Sequence, residues 1–597
     1  MTEPAPRRVV LQVGFGLGQA FLQAWCDWQQ DPARAERLDF IAITPTPPDA
    51  QALRRAHQHT PLQRLAQALA AQWPPLTPNL HRLNFDAARV HLLLAVGEPL
   101  ALLPQMQAQV HDFVIDELAL AVDPQRAPLR VCKALARLAA PGARLRAAPG
   151  LQALRPALAS AGFEVEPASA ELRAVYNPRF IPKRRARLST VHTAHTERHA
   201  LIVGAGLAGC ATAWALAEQG WCSTLIDPAE APASQASGNP GGLFHGIVNP
   251  QDGAHARFNR AAALLAQRTV QAAIDSGAVR GSTTGLLRLD TRDLGVQAMR
   301  DELANLQLPG SYVQALDAAQ ASQHCGLPLP HPAWFYPGGG WVQPAALARW
   351  LLLQAGLMAV FRGGLKVQSL RADGGRWQLL DATGLVIAEA GSIVLANAAD
   401  ALRLLAAAHW PVQSVRGQIS LYRATTPYEA LALPRLPLAG AGCLLPDIDG
   451  LAVFGASSQP DDDAAALRDA DHAFNLHRLA QLSPTSLPTS GLPISRLHGR
   501  VGWRCMADDR LPLVGAVPDE AAFLAAPCER LDEVPHRPGL HVFSALGSRG
   551  IAWAGLGAQV LAARISGAPV PLEAALVDAL DPARFALRTA RRASARG

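Results

Sequence analysis

The sequence predicts an α/β chain that carries two glycine-turn units in tandem. Three observations lead there. Residues 200–228, ALIVGAGLAGCATAWALAEQGWCSTLIDP, read as strand, tight turn, helix, strand and acid, the order a βαβ nucleotide site requires. A second glycine cluster, VLQVGFGLG, stands at 10–18. Strand-like and helix-like segments alternate after each turn, as in a parallel sheet covered by helices. At 597 residues the chain is too long for one core, so two to four domains are expected. Its 49% apolar and 17% charged content is that of a globular protein. The net charge of +6 permits an anionic partner such as RNA without requiring one.

In chain order, residues 8–18 read as a strand entering a glycine-rich turn, and 19–30 as the following helix. LDFIAITP at 38–45, RVHLLLAVG at 89–97 and HDFVIDELAL at 111–120 are strand candidates. Residues 126–140 form a helix pattern that Pro141-Gly142 should stop. The first domain is expected over 1–180 and a linker over 181–198, rich in basic and polar residues from Lys183 to Arg187. The second region, 199–597, has many short strands. VFSALGSRGIAWAGLGAQVLAARIS at 542–566 reads as strand, turn and helix, and should return a strand to the sheet begun at 200. The residues between would then include a separate substrate-facing sheet. The second basic cluster, Arg588, Arg591, Arg592 and Arg596, reads as a solvated tail.

The central turn carries the most chemistry. Gly204 permits the tight turn, Gly206 lets the backbone approach a pyrophosphate, and Gly209 lets helix pack on sheet, with Ala205 between the first two. The helix N-terminus offers free N–H groups to phosphate oxygens. Asp227, 18 residues beyond Gly209, can accept from an adenosine ribose. FAD and NAD remain alternatives at this point. ASGNPGGLF at 236–244 follows the second strand and can cradle a flavin or form an ordinary turn. The eight cysteines form no CxxC pair, so no metal site is expected and reduced cytoplasmic thiols are. MTEPAPRR has no secretory signal pattern, and no long apolar stretch suggests a membrane span.

Residues 199–597 resemble the FAD-dependent oxidoreductases of the D-amino-acid-oxidase and glycine-oxidase type. They are more closely similar to the oxidoreductase half of the bifunctional tRNA 5-methylaminomethyl-2-thiouridine biosynthesis family. The carrying blocks are GAGLAG at 204–209, ASGNPGG at 236–242, YPGGGWVQPAALAR at 336–349, VRGQIS at 415–420, GWRCMADDRLPLVGAVPD at 502–519 and ALGSRGIAWAGLGAQVLAA at 545–563. The resemblance implies a Rossmann-type FAD domain with an inserted antiparallel-sheet substrate domain. It implies oxidation of the carboxymethylaminomethyl group on uridine 34 of tRNA, with release of glyoxylate. Ser237, Gly238, Asn239, Gly242 and Leu243 would line the flavin, and the Val367 backbone would meet adenine. Gly547, Ser548, Arg549 and Gly550 would meet the isoalloxazine end. A carboxylate on the substrate calls for a guanidinium. Arg504 is the first candidate, then Arg549, then Arg416. Trp341 and Trp503 would wall the site or pack in the core, and Asp508 or Asp509 would hold Arg504 or a loop.

Residues 9–180 resemble the methyltransferase half of the same family, a Rossmann-like fold for S-adenosylmethionine. The matches are GFG at 14–16, NLHRLNFDAARVHLLLAVGE at 79–98, CKALARLAAPGARL at 132–145 and LRPALASAGFEVE at 154–166. Gly14, Gly16, Gly18 and Asp116 would meet the ligand. Several residues depart from the family pattern. Thr44 stands where an acid should grip the ribose, Glu117 replaces a glycine, and Val13 and Leu17 replace two threonines. Together they imply weakened or absent methyl transfer. Two readings stay open beside the tRNA-modifying oxidase: a small glycine- or sarcosine-like amine oxidase, and a nonenzymatic tRNA-binding protein. A monomer is preferred, because two domains can bury their own faces.

Overall fold

The computed structural model describes residues 5–116, 127–167, 171–179, 197–426, 429–488 and 491–594. The basic stretch at 183–187, Glu117 and Arg596 lie outside these residues. The chain divides into two compact units, 1–194 with 562–578, and 195–561 with 579–597.

The first unit is built on an eight-stranded sheet. Its strands are β1 (Arg8–Val13), β2 (Leu38–Thr44), β3 (Leu80–Phe85), β4 (Val90–Val96), β5 (Val110–Ile115), β6 (Ala139–Ala147), β7 (Phe163–Val165) and β8 (Leu172–Tyr176). The order is β3-β4-β2-β1-β5-β6-β8-β7. Strands β4, β2, β1, β5 and β6 run parallel, while β3 and β8 run against their neighbours. All seven residues of β2 are buried, as befits a strand covered on both faces. Alternate β1 residues enter different cores: Val9, Leu11 and Val13 one, Val10 the other. The chain steps outward in opposite directions from β1 and β5. Their carboxyl ends therefore flank the crevice where such sheets take ligands.

The helix expected over 126–140 spans Ala127–Leu138. Pro141-Gly142 does not stop it. Those residues lie inside β6, which pairs Val110 with Ala139 and next Asp112 with Arg144. The residues between loop outward, with Gly142 at φ 74°, so the Pro-Gly pair serves a bulge.

The second unit contains a six-stranded nucleotide sheet, in the order Ala359–Arg362, Cys222–Ile226, His199–Val203, Ile393–Leu395, His536–Ser544, Leu513–Pro518. All neighbours are parallel except the last pair. The late strand does return to this sheet, one place removed from His199–Val203. The helix Leu207–Glu218 is apolar on nearly every side and packs inside. A nine-stranded, mainly antiparallel sheet lies in the same unit and includes the long strand Val412–Tyr422. That strand pairs antiparallel with His498–Ala507 from Val412↔Ala507 to Leu421↔His498. A small sheet of Gly242–Phe244, Gly340–Val342 and Gly281–Ser282 lies in the same unit. Among the described residues no helix is long and apolar enough to cross a membrane.

Candidate active site

The turn after His199–Val203 is shaped by its glycines. Gly204 has φ 101°, and a Cβ there would lie 2.7 Å from the Ala396 carbonyl oxygen. A Cβ on Gly209 would lie 1.9 Å from the Gly204 carbonyl oxygen, so only glycine lets the helix sit this close. Gly206 differs: its nearest neighbour would be the Ser237 hydroxyl at 3.4 Å. A Cβ there would sit in ordinary van der Waals contact, so Gly206 is the least crowded of the three. Asp227 braces the turn by accepting from the Ala205 N–H at 2.7 Å and the Ala229 N–H at 2.9 Å.

The 234–244 segment closes over the helix N-terminus. Ser237 accepts from the Leu207 N–H at 3.2 Å. Asn239 follows the short turn Ala236–Gly238 in extended backbone. Gly242 and Leu243 pair with Val342 and Trp341. A Cβ on Gly242 would meet Ile551 Cδ1 at 2.7 Å, and one on Gly550 would meet Leu207 Cδ1 at 3.6 Å. The helices Leu207–Glu218 and Gly550–Ser566 thus begin side by side. Two positive helix ends converge where an anionic cofactor would lie. Gly547, at φ 54°, donates its N–H to the Cys505 carbonyl at 2.9 Å, and Ser548 is exposed just before the second helix. Val367 packs with Leu201 and Ile226, and its carbonyl accepts from Arg403 Nη2 at 3.0 Å. These residues fit FAD: Gly206, two helix starts and the Ser237 hydroxyl meet in one place.

The three candidate arginines differ sharply in surroundings. Arg416 is fully buried and occupied by protein acceptors. It pairs with Asp471 at 2.6 Å and donates to the carbonyls of Ala464 at 2.7 Å and Ala466 at 2.6 Å. Arg504 lies on the opposite face of that strand pair, above Gly417, where a Cβ would stand 2.7 Å from its guanidinium. It donates to the Ser457 carbonyl at 3.3 Å and has no carboxylate partner among the described residues. Asp509 does not hold it; that carboxylate pairs with Arg584 at 2.8 Å and Arg588 at 2.6 Å. Arg549 likewise has no acid partner among the described residues, and burial followed by Arg288 lowers its pKa to about 10. It remains a cation at neutral pH. Trp341 is buried with Ile419 and Leu445, while Trp503 donates to the Asp462 carbonyl at 2.8 Å.

Sequence reasoning missed the groups around Arg549. Burial, then Arg549 and Arg288, hold His245 well below the usual imidazole range. Burial, then Arg549, brings His255 to about 4. The phenol of Tyr336 is pushed up to about 12 by burial, and Tyr312 packs edge-on against it at 6.1 Å. The His245 carbonyl accepts from Asn259 Nδ2 at 3.1 Å, and Asn259 Oδ1 from Trp553 Nε1 at 2.8 Å. Tyr336 and Trp553 lie within the quoted blocks, but the other residues come from dispersed helices, strands and loops that no motif joins.

At the crevice of the first unit, Gly14, Gly16 and Gly18 all have positive φ, 90°, 52° and 78°. Asp116 accepts from Gln12 Nε2 at 2.5 Å. Thr44 is buried, and its carbonyl accepts from the Gly97 N–H at 2.9 Å. The next acid, Asp49, caps the helix Ala50–Ala56 through Ala52 N–H at 2.7 Å. The glycine turn leaves a bend at the end of β1, and Thr44, not an acid, ends β2.

Together these features define an FAD-dependent oxidoreductase unit in one chain with a methyltransferase-type unit. The FAD dependent oxidoreductase family matches residues 199–564, and an S-adenosyl-L-methionine-dependent methyltransferase family matches residues 60–171. The chain belongs to the family of the tRNA 5-methylaminomethyl-2-thiouridine biosynthesis bifunctional protein MnmC. It is 47% identical to that protein of Methylibium petroleiphilum, over 97% of this chain and 90% of the relative. It is 40% identical to that of Burkholderia pseudomallei, over 98% and 90%. Among solved structures, glycine oxidase from Bacillus cereus aligns with TM-score 0.50 and 18% identity, covering 62% of this chain and 95% of that one. L-proline dehydrogenase from P. horikoshii aligns with TM-score 0.51 and 14% identity, covering 65% and 98%. At those identities the likeness is one of fold.

Proposed function

We propose that the second unit oxidises the carboxymethylaminomethyl group of wobble uridine 34 in tRNA, leaving the aminomethyl form and glyoxylate. The observation that carries the reading is a pair of half-buried arginines, Arg504 and Arg549, without acid partners among the described residues, in the unit that holds a flavin-type βαβ turn. A buried cation without a counter-charge is costly. A substrate carboxylate supplies that charge, and Arg504 or Arg549 binds it and orients the adjacent C–N bond. Arg416 belongs to the framework, because Asp471 already meets it. Bound FAD supplies the two-electron acceptor. Gly206, Ser237 and the two helix starts hold its pyrophosphate, and Gly547 to Gly550 meet its ring. His245 stays neutral and adds no competing charge. The oxidised C–N bond of the substrate then hydrolyses.

The methyl-transfer half is proposed to be weakened or lost, since Thr44 ends β2 in place of an acid and the next acid, Asp49, caps the following helix. The cytoplasm and a monomeric state complete the reading. Mass spectrometry of wobble nucleosides from cells lacking the gene tests it. The expected result is accumulation of carboxymethylaminomethyl-uridine, reversed by the intact gene. No change in any wobble nucleoside would sink the tRNA assignment. Turnover of free N-substituted glycines without turnover of tRNA would favour the small-amine oxidase. A purified chain without flavin absorbance would favour a nonenzymatic tRNA-binding protein.

A further inference from the structure

Arg500, Gly502 and Arg504 occupy alternate positions of the strand His498–Ala507, so they share one face. Arg504 sits above Gly417 in that row. Arg500 meets the loop that precedes Gly238. Its Nη2 donates to two consecutive carbonyls, Ser234 at 2.7 Å and Gln235 at 2.6 Å. Gly238 lies directly against the guanidinium: a Cβ there would stand 2.4 Å from Nη2 and 2.9 Å from Cζ. A Cβ on Gly502 would meet Ala236 Cα at 3.5 Å, so the strand and loop touch through their small residues. The loop held in this way carries Ser237, which accepts from the first N–H of the helix Leu207–Glu218.

We propose that Arg500 is a positioning residue for flavin binding, tying loop 234–238 to the strand that presents Arg504. The proposal rests on the FAD reading of this site. Its physical basis is peptide planarity. In a trans peptide the carbonyl and the following N–H point in opposite directions. Holding the carbonyls of Ser234 and Gln235 toward Arg500 therefore turns the N–H groups of Gln235 and Ala236 to the other side of the loop. Arginine suits the role because its charge is permanent and its donors sit on a rigid fork. Gly238 is required beside it because any side chain would displace the fork. The same contact keeps the cofactor loop and the substrate arginine in fixed register along one strand.

Flavin-fluorescence titration of the full-length apoprotein tests this, with thermal melts of the same samples. Arg500→Met is expected to weaken FAD binding about tenfold or more, as loss of charge-assisted hydrogen bonds implies, while the apoprotein melts as before. Arg500→Lys is expected to recover part of the affinity. Gly238→Ala should reproduce the loss, and add little to it in the Arg500→Met background. Unchanged FAD affinity in Arg500→Met would overturn the proposal. So would a loss that only follows a lowered apoprotein melting temperature, with no recovery by lysine. Failure of the unaltered chain to bind FAD would instead refute the flavin reading beneath it.

Discussion

Two glycines three residues apart have separable roles. A Cβ at Gly206 would meet only the Ser237 hydroxyl, in ordinary contact, whereas one at Gly209 would overlap the Gly204 carbonyl. Gly206→Val is expected to leave the apoprotein melting temperature near its starting value and abolish retained flavin absorbance. Gly209→Val should lower the melting temperature itself. Retained stoichiometric FAD in the Gly206 variant would contradict the assigned turn. The arginines divide in a similar way. Arg504→Lys and Arg549→Lys should each lower kcat/KM roughly 10- to 100-fold, the range for one charge-assisted contact, with little change in melting. Arg416→Met should cost about 3–5 kcal/mol of stability, because it strands a buried carboxylate at Asp471. Denaturant unfolding distinguishes the two classes. The sequence cannot make this distinction, since Arg416 and Gly417 are neighbours in the chain and face opposite sides of one strand.

Elements were legible where local chemistry settles them. The strand, turn and helix at 199–218 follow from apolar runs around fixed glycines. The hairpin between Ser369–Asp373 and Arg376–Leu380, which the sequence reading did not single out, turns on Gly374 and Gly375, both at positive φ. Pro141-Gly142 misled because the same dipeptide can end a helix or bulge a strand, and the neighbouring β5 decides which. The helix Ala254–Asp275 carries a further consequence through His255. Its imidazole has a folded-state pKa of about 4, below the ordinary 6.5. Above pH 6.5 both states are neutral and stability is unaffected. As pH falls from 6.5 toward about 4 the unfolded chain takes up the proton first, so stability declines, then levels. Melts of His255→Gln against the unaltered chain over that window should converge near neutrality and separate in acid. Parallel curves would exclude this contribution.

At the scale of the whole molecule, the two units were visible as two glycine turns, and the family as long ordered blocks. The cluster around Arg549 was not, because His245, Arg288, Tyr312, Tyr336 and Arg549 are dispersed along the chain and meet only after folding. The proposed loss of methyl transfer belongs to the first unit's crevice, where Thr44 ends β2 in place of an acid. Equilibrium dialysis against S-adenosylmethionine is expected to show no saturable binding. Saturable binding with methylation of aminomethyl-uridine would restore the second activity.

The first unit is also assembled from both ends of the chain. Val570 N–H donates to the Gln107 carbonyl at 3.0 Å, and Ala575 N–H to Gln105 Oε1 at 2.9 Å. A ribosome delivers residues 562–578 only after more than three hundred others have followed Ala194. The half made first therefore waits, incomplete, until nearly the last residues emerge. Severing the gene between the halves would leave the first protein missing a piece encoded by the second. A fragment ending at Ala194 should melt earlier than the same fragment supplied with a 562–578 peptide. Chaperone dependence during synthesis should fall on that waiting half.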